Sequence, residues 1–460
     1  MNKSSCFKAY DVRGEIGKNI DEDVCYRIGR AVAQHFKSRS VVIGFDARET
    51  SPCFSSAASR GVRDAGGDVI WIGMAGTEEM YWAVTEFGAC AGIEVTASHN
   101  PINFNGMKIV KSCSQPLSDT EDFQVIRKLV EDGIWESHQS RGAELDRAFQ
   151  ARKAYVDRVV SFFDFRAVKP LKIVVNSGNG AAGPTFDAVA ERLREFDAPI
   201  EFVRINHSPD HTFPNGVPNP IIPKNHRATA DIIKNVYADF GIAFDGDFDR
   251  CFFFDENGAF VPGECVVGML ASIFLQNEAG SKIVHDPRVV WNIQDIVNSF
   301  AGTAIQSQTG HAFIKKAMRE NKAVYGGELS AHHYFRDFAY CDSGMIPWIL
   351  MVGLISRSQQ SLGSLVKDRI SLFPSSGEIN FHVDDPHKSI ERVWDAFQKD
   401  AILRNQKDGL SLELKNWRFN LRNSNTESLV RLNIETRGNS NNMDVLVDKI
   451  SRLIGGRRMT

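Results

Sequence analysis

Hydrophobic and polar positions along residues 7–140 predict strands and helices in alternation. After Asp21, the apolar residues Val24, Ile28, Val32 and Phe36 recur at helical spacing and predict an amphipathic helix. Short apolar runs, typical of buried strands, flank a second predicted helix. These runs lie at residues 41–46, 69–72 and 92–95, and the helix lies at about residues 52–64. Because strands and helices alternate, we expect a mostly parallel sheet covered by helices on both faces.

The first residues of the following helix predict where it begins. Ser118 and Glu121 have the spacing of a capping box, in which the side chain of each residue accepts a hydrogen bond from the backbone N–H of the other. We therefore expect this capping box to open the next helix.

The alternation restarts twice and then stops. A connecting helix at about residues 148–165 leads into a second unit, and a third unit begins with the strand at residues 251–255. Further strands are predicted at residues 171–176, 200–205, 241–244, 282–285 and 323–325. The tail reads as a smaller α+β domain with an antiparallel sheet. The predicted fold class is α/β, with three similar mixed-sheet βα domains plus a C-terminal α+β domain, bounded at residues 1–147, 148–252, 253–370 and 371–460.

Composition narrows the class of protein. The 460 residues are 43% hydrophobic and 24% charged, which is the balance of a globular chain, and they are too many for one core. The net charge of −3 gives no general attraction to nucleic acid or to anionic membranes. The start lacks an apolar signal segment, and the eight cysteines are scattered without a C-x-x-C pair. We therefore expect a soluble, cytoplasmic, multidomain enzyme that binds neither nucleic acid nor membrane.

A polar loop follows the strand that ends near Val95. Residues 96–101 read T-A-S-H-N-P, and Asn100-Pro101 continues neither a helix nor a central strand. Ser98 therefore lies on a tight loop at the end of a strand, beside imidazole and amide groups. This setting suits a nucleophilic or phosphorylated hydroxyl, but turns also favour these residue types for purely structural reasons. The stretch by itself leaves both interpretations open.

Three acids lie in a second loop. Asp245, Asp247 and Asp249 alternate in the sequence D-G-D-F-D-R, which in an extended segment places them on one side. Three converging carboxylates repel one another unless a hard cation neutralises them, so Mg²⁺ is the simplest inference. A solvated acidic loop is the alternative, although the flanking apolar runs disfavour it. An EF-hand is rejected because Arg250 occupies the position that needs glycine.

Three further loops carry weaker signals. Glu328 and Ser330 can grip vicinal sugar hydroxyls, whereas the adjacent histidines at positions 332 and 333 seldom converge on one ion, so structural or substrate hydrogen bonds are favoured for them. Residues 422–427 offer donors that suit a dianion, but a polar hairpin loop looks the same. The Gly-rich turn at residues 177–184 fits tight strand–helix packing better than phosphate binding.

Taken together with residues 10–14 (Y-D-V-R-G), these loops resemble those of the α-D-phosphohexomutase superfamily, and most closely the bacterial phosphomannomutases of the GDP-mannose and capsule or lipopolysaccharide pathways. The resemblance runs in order from residue 7 to residue 453, with one loop per domain. T-A-S-H-N-P and D-G-D-F-D-R together are highly specific. Residues 76–81 and 327–335 are similar to the phosphomannomutase branch in particular.

The resemblance implies four domains around a central active-site cleft, carrying in turn a phosphoserine loop, a metal-binding loop, a sugar-binding loop and a phosphate-binding loop. The implied catalytic residues are Ser98, Lys108, Arg13, Arg250 and His99. The implied metal ligands are Asp245, Asp247, Asp249 and the phosphoryl oxygens on Ser98. The implied substrate-binding residues are Tyr10, His311, Glu328, Ser330, His332, Arg422, Ser424, Asn425 and Thr426.

The reaction so implied interconverts mannose 6-phosphate and mannose 1-phosphate and supplies GDP-mannose for surface polysaccharide. It uses a phosphoserine enzyme, Mg²⁺ and a hexose 1,6-bisphosphate as intermediate and activator, in a monomer or homodimer. The alternatives are a phosphoglucomutase or dual-specificity phosphohexomutase, a Mg²⁺-dependent sugar phosphatase with an aspartyl nucleophile, and a non-catalytic sugar-phosphate sensor.

Two residues depart from the family pattern. Gln308 stands before Thr309-Gly310-His311, where many relatives have a lysine that contacts the substrate. Ser428 follows Glu427 where a proline is usual. The first departure changes the charge of a substrate contact, and the second loosens the phosphate loop while leaving its donors in place.

Overall fold

The computed structural model describes residues 5–8, 11–138, 140–165, 168–288, 290–423, 429–438 and 442–459. The chain folds into two compact units. The first comprises Met1–Phe260 with His332–Gln359, and the second comprises Val261–Ala331 with Gln360–Thr460. Among the described residues, no helix is both long enough and apolar enough to cross a lipid bilayer.

Strands and helices alternate through most of the chain. The strands are β1 Val12–Glu15, β2 Ser40–Phe45, β3 Asp68–Met74, β4 Ala91–Val95, β5 Phe104–Lys111, β6 Gln115–Pro116, β7 Glu144–Asp146, β8 Leu171–Asn176, β9 Ile200–Ile205, β10 Phe240–Phe244, β11 Cys251–Phe254, β12 Lys282–His285, β13 Thr303–Gln306, β14 Tyr325–Gly327, β15 His333–Phe335, β16 Cys341–Asp342, β17 Ser375–His382, β18 Leu403–Asn405, β19 Leu410–Glu413, β20 Trp417–Asn423, β21 Leu429–Thr436 and β22 Arg457–Arg458.

The helices cover these strands. They are α1 Glu22–Phe36, α2 Ser51–Asp64, α3 Thr77–Glu86, α4 Gln124–Asp132, α5 Ala148–Val160, α6 Ala182–Arg194, α7 Arg227–Val236, α8 Gly263–Asn277, α9 Trp291–Ser299, α10 His311–Asn321, α11 Met345–Ser358, α12 Leu362–Leu372, α13 Pro386–Phe397 and α14 Met443–Ile454. The predicted α/β class is confirmed.

The first sheet of unit 1 has the order β1-β5-β4-β2-β3-β7, with β6 paired to β5. The strands β4, β2, β3 and β7 run parallel, whereas β5 and β1 are antiparallel to their neighbours. The sheet is therefore mixed. Because β2 and β4 are adjacent and parallel, the loops that follow them lie at the same edge of the sheet, and those loops contain Asp46 and Ser98.

The predicted start of α1 is confirmed, since the carboxylate of Asp21 accepts a hydrogen bond from the backbone N–H of Val24 at 2.9 Å. The predicted capping box at Ser118 is wrong in its partner. Residues 119–123 form a π-helical turn, which contains one more residue than an α-turn. Asp122, rather than Glu121, therefore reaches back to Ser118 and accepts a hydrogen bond from its N–H at 2.8 Å.

The second sheet of unit 1 has the order β11-β10-β8-β9. The strand at residues 251–255 was predicted to begin the third unit, and this prediction is wrong. β11 is instead the antiparallel partner of β10, with Phe244 opposite Cys251. The acidic loop is consequently the connection of a hairpin, which a strand pattern without pairing information does not reveal.

Unit 2 contains the third set of βα elements and the tail. The strands β13, β12 and β14 run parallel in that order. The strand predicted at residues 323–325 begins at Tyr325 and ends at Gly327, because glycine is a poor strand marker in sequence patterns. The tail forms an antiparallel sheet of order β18-β19-β20-β21-β17-β22. This sheet packs on α13 and α14 and has its own apolar core, as expected of an α+β domain.

A buried carboxyl group joins two helices of unit 1. Glu78, in the first turn of α3, is fully buried, and its Oε1 accepts hydrogen bonds from the N–H groups of Gly344 and Met345 at 2.9 and 3.1 Å. These groups form the start of α11. Burial raises the pKa of Glu78 to about 8, although hydrogen bonds from Ser343, Tyr155 and these two N–H groups oppose the rise.

This raised pKa makes folding stability depend on pH. Between the unfolded value near 4.5 and the folded value near 8, the folded protein holds a proton that the unfolded chain releases, so stability falls as pH rises. Glu78→Gln keeps the acceptor without the ionisation. We expect the free energy of unfolding of the wild type to fall relative to that of Glu78→Gln between pH 5 and pH 8, by at most about 1.4 kcal/mol per pH unit. The exposed Glu86 of the same helix gives the control Glu86→Gln, and equal slopes for all three proteins would contradict the prediction.

Candidate active site

Ser98 lies three residues beyond the end of β4, on the tight polar loop that the sequence predicts. Its side chain is 1% exposed, and its backbone has φ of 48°, a left-handed conformation that is uncommon for residues other than glycine. The N–H of Ser98 donates to the hydroxyl of Thr96 at 2.8 Å, which fixes the turn. A Cβ at Gly246 would lie 2.5 Å from the carbonyl oxygen of Ser98, so glycine is required where the acidic loop meets this loop.

The backbone of the Ser98 loop is held by Arg48, a residue that was not among the predicted site residues. The guanidinium of Arg48 donates to the backbone carbonyls of Ser98, Asn100, Pro101 and Phe104, at 2.8, 2.6, 3.0 and 2.9 Å respectively. Arg48 is buried and paired with Asp46, which follows β2. One feature of the sequence could have indicated this contact. Asp46 and Arg48 follow β2, and the carboxyl ends of adjacent parallel strands such as β2 and β4 lie at the same edge of a sheet.

The three acids of the second loop converge as predicted. Asp245, Asp247 and Asp249 are at most 1% exposed and offer carboxylate oxygens that all lie within 4.8 Å of one another. The geometry predicted for this convergence is wrong, because residues 245–249 do not form an extended segment with side chains alternating between two sides. They form the turn between β10 and β11, in which Phe248 adopts φ of 46° with a buried side chain. The turn, rather than strand alternation, brings the acids together.

Two basic side chains neutralise these acids. Lys108, on β5, donates from Nζ to Asp247 at 2.8 Å and also contacts Asp249. Arg250 pairs with Asp245 at 2.7 Å. The three acids and two cations sum to one surplus negative charge, in side chains that are nearly fully buried.

The pKa values follow from this arrangement. Burial raises the pKa of Asp245 to about 6, with repulsion from the other two acids adding to the rise and Arg250 opposing it. For Asp249 the attraction of Lys108, His332 and Arg250 outweighs burial and holds the pKa well below its usual value. For Lys108 the two acids outweigh burial and raise the pKa, so the ammonium stays charged.

The hydroxyl of Ser98 is part of the same network. It donates to Oδ2 of Asp245 at 2.6 Å and accepts from Nη2 of Arg250 at 3.1 Å. Nδ1 of His99 lies 3.0 Å from this hydroxyl, and burial, together with nearby Arg250, Arg13 and Lys108, lowers the pKa of His99 well below its usual value. The imidazole is therefore neutral, and the serine oxygen lies between an acceptor and a cation.

Each of the three acids has one carboxylate oxygen that accepts no hydrogen bond from the described residues. The Oδ1 atoms of Asp245, Asp247 and Asp249 are buried and have no hydrogen-bond partner among the residues that the structure describes. Buried carboxylate oxygens without partners are costly, and oxygen is the ligand that hard divalent cations prefer. The donor set therefore fits a divalent cation held by three carboxylates beside Ser98.

The remaining residues predicted for this region are placed as follows. Arg13 donates to the carbonyl of Ala97 at 2.9 Å, which puts its guanidinium beside the Ser98 loop. His332 lies with Nε2 3.7 Å from Asp249, whereas His333 is fully buried in β15 and is absent from the acidic group. The two histidines therefore do not converge. Tyr10 lies outside the described residues.

In unit 2, a backbone hydrogen bond fixes the carboxylate of Glu328 in the predicted sugar loop. Glu328 is 1% exposed, and its Oε1 accepts from the N–H of Gly310 at 2.8 Å, immediately before His311 begins α10. Ser330 is half-buried two residues further on. Arg288, another residue that the sequence analysis missed, lies 3.9 Å from Glu328 and is held by Asp286. Glu328, Ser330 and His311 thus belong to one part of unit 2.

The predicted phosphate loop is described only at its edge. Arg422, at the end of β20, donates to Glu378 at 3.0 Å. Ser424, Asn425, Thr426 and the departing residue Ser428 lie outside the described residues. The other departure, Gln308, donates from Nε2 to the carbonyl of Lys407 at 2.8 Å, so its amide is bound to backbone.

Comparison with known proteins matches four family domains in order. Residues 4–133, 153–258 and 262–373 match the alpha/beta/alpha domains I, II and III described as phosphoglucomutase/phosphomannomutase. Residues 378–453 match the C-terminal domain described in the same way.

Whole-length relatives show the same likeness. The chain is 49% identical to a phosphomannomutase of Salmonella montevideo over 454 residues, covering 99% of this chain and 100% of the relative. It is 47% identical to a protein of Xanthomonas campestris named phosphohexose mutases, covering 98% and 99%. Among solved structures, a phosphoglucomutase/phosphomannomutase family protein of Burkholderia thailandensis has a TM-score of 0.87 at 29% identity, covering 100% of both chains.

Arg48→Lys tests whether this arginine shapes the Ser98 loop. Lysine keeps the charge beside Asp46, but one ammonium does not span four backbone carbonyls. We expect a loss of about 2–4 kcal/mol in the free energy of unfolding, together with faster amide hydrogen exchange in residues 97–104. The exposed Arg60 of α2 gives the control Arg60→Lys. Unchanged exchange in the loop of Arg48→Lys would show that the four contacts do not hold it.

Proposed function

The chain belongs to the phosphoglucomutase/phosphomannomutase family, and from this premise we propose that it interconverts mannose 6-phosphate and mannose 1-phosphate. The observation that carries the proposal is the hydroxyl of Ser98, which is buried between Asp245 and Arg250 beside three convergent acids. Relatives named phosphomannomutase, nearly half identical over almost the whole chain, support mannose phosphate as the substrate.

Ser98 is the proposed carrier of the phosphoryl group. In the first transfer, a sugar hydroxyl oxygen bonds to phosphorus as the bond between phosphorus and Oγ of Ser98 breaks, which gives a hexose 1,6-bisphosphate. In the second transfer, Oγ of Ser98 accepts the other phosphoryl group and releases the isomeric monophosphate. No net phosphate is consumed, so the reaction is an isomerisation.

The residues around Ser98 suit these transfers. When Ser98 carries no phosphate, its hydroxyl proton points to Oδ2 of Asp245, the group placed to take it as Oγ accepts phosphorus. Arg250 and Arg13 supply positive charge where the transferring group gathers negative charge. His99, as a neutral imidazole 3.0 Å from Oγ, orients the hydroxyl.

Mg²⁺ is the proposed cofactor. Asp245, Asp247 and Asp249 would hold it with an oxygen of the phosphate on Ser98, because each acid keeps one buried oxygen without a hydrogen-bond partner in the described part of the chain. Bound there, the ion would supply positive charge that stabilises the phosphoryl group in transfer. Lys108, whose charged ammonium contacts Asp247 and Asp249, is the residue we assign to proton transfer at the sugar hydroxyl, as the donor to the sugar oxygen when that oxygen leaves phosphorus.

Substrate binding is assigned to the predicted sugar and phosphate loops and to three further polar residues. Glu328 and Ser330 would bind hydroxyls of the sugar, and His311, His332 and Tyr10 would complete the polar contacts. The phosphate that does not react would be held by a set that combines one guanidinium with hydroxyl and amide donors. This set comprises Arg422, Ser424, Asn425 and Thr426. Contacts to hydroxyls alone would accept the sugar in both orientations, as a bisphosphate that turns over requires.

The wider role follows from the same premise. We propose that the product feeds GDP-mannose formation for capsule or lipopolysaccharide, and that the protein works in the cytoplasm as a monomer or homodimer with hexose 1,6-bisphosphate as activator. We also propose four domains, one for each functional loop, with boundaries near residues 147 and 370 and a middle boundary beyond Phe254, where β11 ends.

A second candidate is a phosphohexomutase that accepts glucose phosphate as well. The observation in its favour is the relative of Xanthomonas campestris named phosphohexose mutases, which is 47% identical over 98% of this chain. A sugar phosphatase with an aspartyl nucleophile is disfavoured, since the hydroxyl of Ser98 lies beside Asp245 and Arg250 as an alternative nucleophile.

Ser98→Ala tests the phosphoryl carrier. We expect mutase activity to fall at least about 1,000-fold, because the variant lacks the nucleophile. Peptide mapping of the wild type should find acid-stable phosphate on Ser98 and nowhere else in the loop. The exposed Ser112 gives the control Ser112→Ala.

In the wild type we expect a higher kcat/KM for mannose phosphate than for glucose phosphate, and equal values would favour the dual-specificity enzyme. Full isomerisation by Ser98→Ala would eliminate the proposed mechanism, whereas steady release of inorganic phosphate by that variant would favour the phosphatase.

Asp247→Asn tests the metal site. Added Mg²⁺ should raise the melting temperature of the wild type, because binding to the folded state at about 100 times the Kd adds about 2.7 kcal/mol of stability. The Mg²⁺-dependent rise should vanish in Asp247→Asn, since the variant offers one carboxylate less, and should persist in Asp231→Asn, which alters an exposed acid on α7. A rise of equal size in Asp247→Asn would place the ion elsewhere.

A further inference from the structure

Thr77, the first residue of α3, contacts the acidic loop twice. Its side chain is fully buried, and Oγ1 donates a hydrogen bond to Oδ2 of Asp247 at 2.6 Å. The backbone N–H of Thr77 donates to the backbone carbonyl of the same aspartate at 3.2 Å. One residue from a distant part of the chain therefore holds both the carboxylate and the backbone of Asp247.

The glycine before Thr77 allows α3 to approach the acidic loop this closely. A Cβ at Gly76 would lie 2.6 Å from the backbone carbonyl oxygen of Asp247 and would overlap the ring of Phe248. Glycine is the residue that permits such a close approach between two backbones. A larger residue at position 76 would therefore move the hydroxyl of Thr77 away from Asp247.

Glu79 anchors the start of α3 on two other helices. Its buried carboxylate accepts hydrogen bonds from Nε of Arg152 on α5 and from Oγ1 of Thr185 on α6, both at 3.0 Å. It also accepts the N–H of Gly76 at 3.3 Å, as the third residue of a helix does in a capping box. The backbone that carries the hydroxyl of Thr77 is therefore fixed against α5 and α6.

The two carboxylate oxygens of Asp247 have different surroundings. Oδ2 accepts hydrogen bonds from Thr77 at 2.6 Å and from Nζ of Lys108 at 2.8 Å. Oδ1 is buried and accepts no hydrogen bond from the residues that the structure describes. Each oxygen of a carboxylate has about two lone-pair sites, so the two donors fill Oδ2 and leave Oδ1 for a cation.

We propose that Thr77 is a positioning residue for the metal site, whose hydroxyl holds the carboxylate of Asp247 in the orientation that presents Oδ1 to a divalent cation. The inference rests on the proposed function, because it takes the three acids as ligands of Mg²⁺. It goes beyond that function by naming a residue outside the acidic loop on which the affinity for the ion depends.

Lys108 by itself does not fix this orientation. Its ammonium also contacts Asp249, and it lies at the end of a flexible side chain with three donors that rotate. The side chain of Thr77 is short, and its branched Cβ restricts the rotation that would move the hydroxyl away. The orientation of the Asp247 carboxylate therefore depends on the threonine.

A hydroxyl also suits this position better than a second cation would. It donates a hydrogen bond without adding positive charge, so it does not repel a divalent cation held by the same carboxylate. Groups that hydrogen-bond to the ligands of a metal ion orient those ligands, and their loss typically weakens metal binding about 10–100-fold. The contact between Thr77 and Asp247 is of this kind.

Thr77→Val tests this role, with Mg²⁺ alone as the probe and protein that a chelator has freed of metal. Valine has nearly the shape of threonine but no hydroxyl. We expect the Kd for Mg²⁺, measured by calorimetric titration, to rise about 10–100-fold. Thr77→Ser keeps the hydroxyl and should bind Mg²⁺ with a Kd close to that of the wild type. A wild-type Kd in Thr77→Val would overturn the inference.

Thr229→Val is the matched control. Thr229, on α7, is also fully buried, and its Oγ1 accepts a hydrogen bond from Nδ2 of Asn176 at 2.9 Å. Both valine variants lose a buried hydrogen bond, so both should melt at a lower temperature than the wild type without metal. The Kd for Mg²⁺ should rise in Thr77→Val alone. An equal rise in both variants would show that lost stability, rather than the orientation of Asp247, weakens binding.

Thr77→Ala covers the case in which Thr77→Val does not fold. Alanine also removes the hydroxyl, and it places no methyl group against the carboxylate of Asp247. Its Kd for Mg²⁺ should rise in the same range as that of Thr77→Val. An alanine variant that binds Mg²⁺ as tightly as Thr77→Ser does would remove Thr77 from the metal site.

Failure of this inference is distinguishable from failure of the proposed function, because Mg²⁺ binding is measured without the mutase assay. Loss of binding in Asp247→Asn with an unchanged Kd in Thr77→Val would keep the metal site and reject the role of Thr77. Absence of Mg²⁺ binding by the wild type would reject the metal site and this inference with it. Absence of isomerase activity, with a Mg²⁺ affinity that depends on Thr77, would reject the mutase and keep the inference.

Discussion

The structure of unit 1 depends on holding three buried carboxylates close together, although their mutual repulsion would otherwise destabilise the folded state. Two cations at fixed places make this possible, Lys108 from β5 and Arg250 from the acidic loop itself. Truncating one partner of a buried ion pair is far more costly than the pair's net contribution, so the acids and cations constrain one another. The position of the Ser98 hydroxyl, which bonds to both Asp245 and Arg250, follows from that constraint.

A buried acid on the strand next to β5 competes with the acidic loop for the charge of Lys108. Glu94, on β4, is directly opposite Lys108 on β5, and it is fully buried. Burial, together with repulsion from Asp46 and Asp247, raises its pKa well above the usual value, so this carboxyl group is neutral. The charge of Lys108 is used by the acidic loop, and a further anion beside it would have no partner. Burial, reinforced by repulsion from nearby acids, therefore sets the protonation of a residue that does not belong to the site.

The sequence predicts local features well and pairings poorly. Helical spacing after Asp21 locates α1 closely, because this signal lies within the element itself. The convergence of Asp245, Asp247 and Asp249 could also be predicted, although through the wrong geometry, since only pairing with β10 reveals that β11 closes a hairpin. Arg48 and Glu378 were missed for a physical reason: their partners lie about 50 residues away along the chain, and a single arginine or glutamate in a polar segment carries no signal of such a contact.

The two units use charge in corresponding ways. In unit 1, Lys108 and Arg250 provide positive charge where three acids leave oxygens suited to a divalent cation. In unit 2, Glu378 provides negative charge between Arg422 and Arg431, which lie opposite each other on paired strands. In both places side chains of opposite charge keep like-charged groups together. This pairing avoids the much larger cost of burying unpaired like charges. Each cluster can therefore be both strongly charged and part of a sheet.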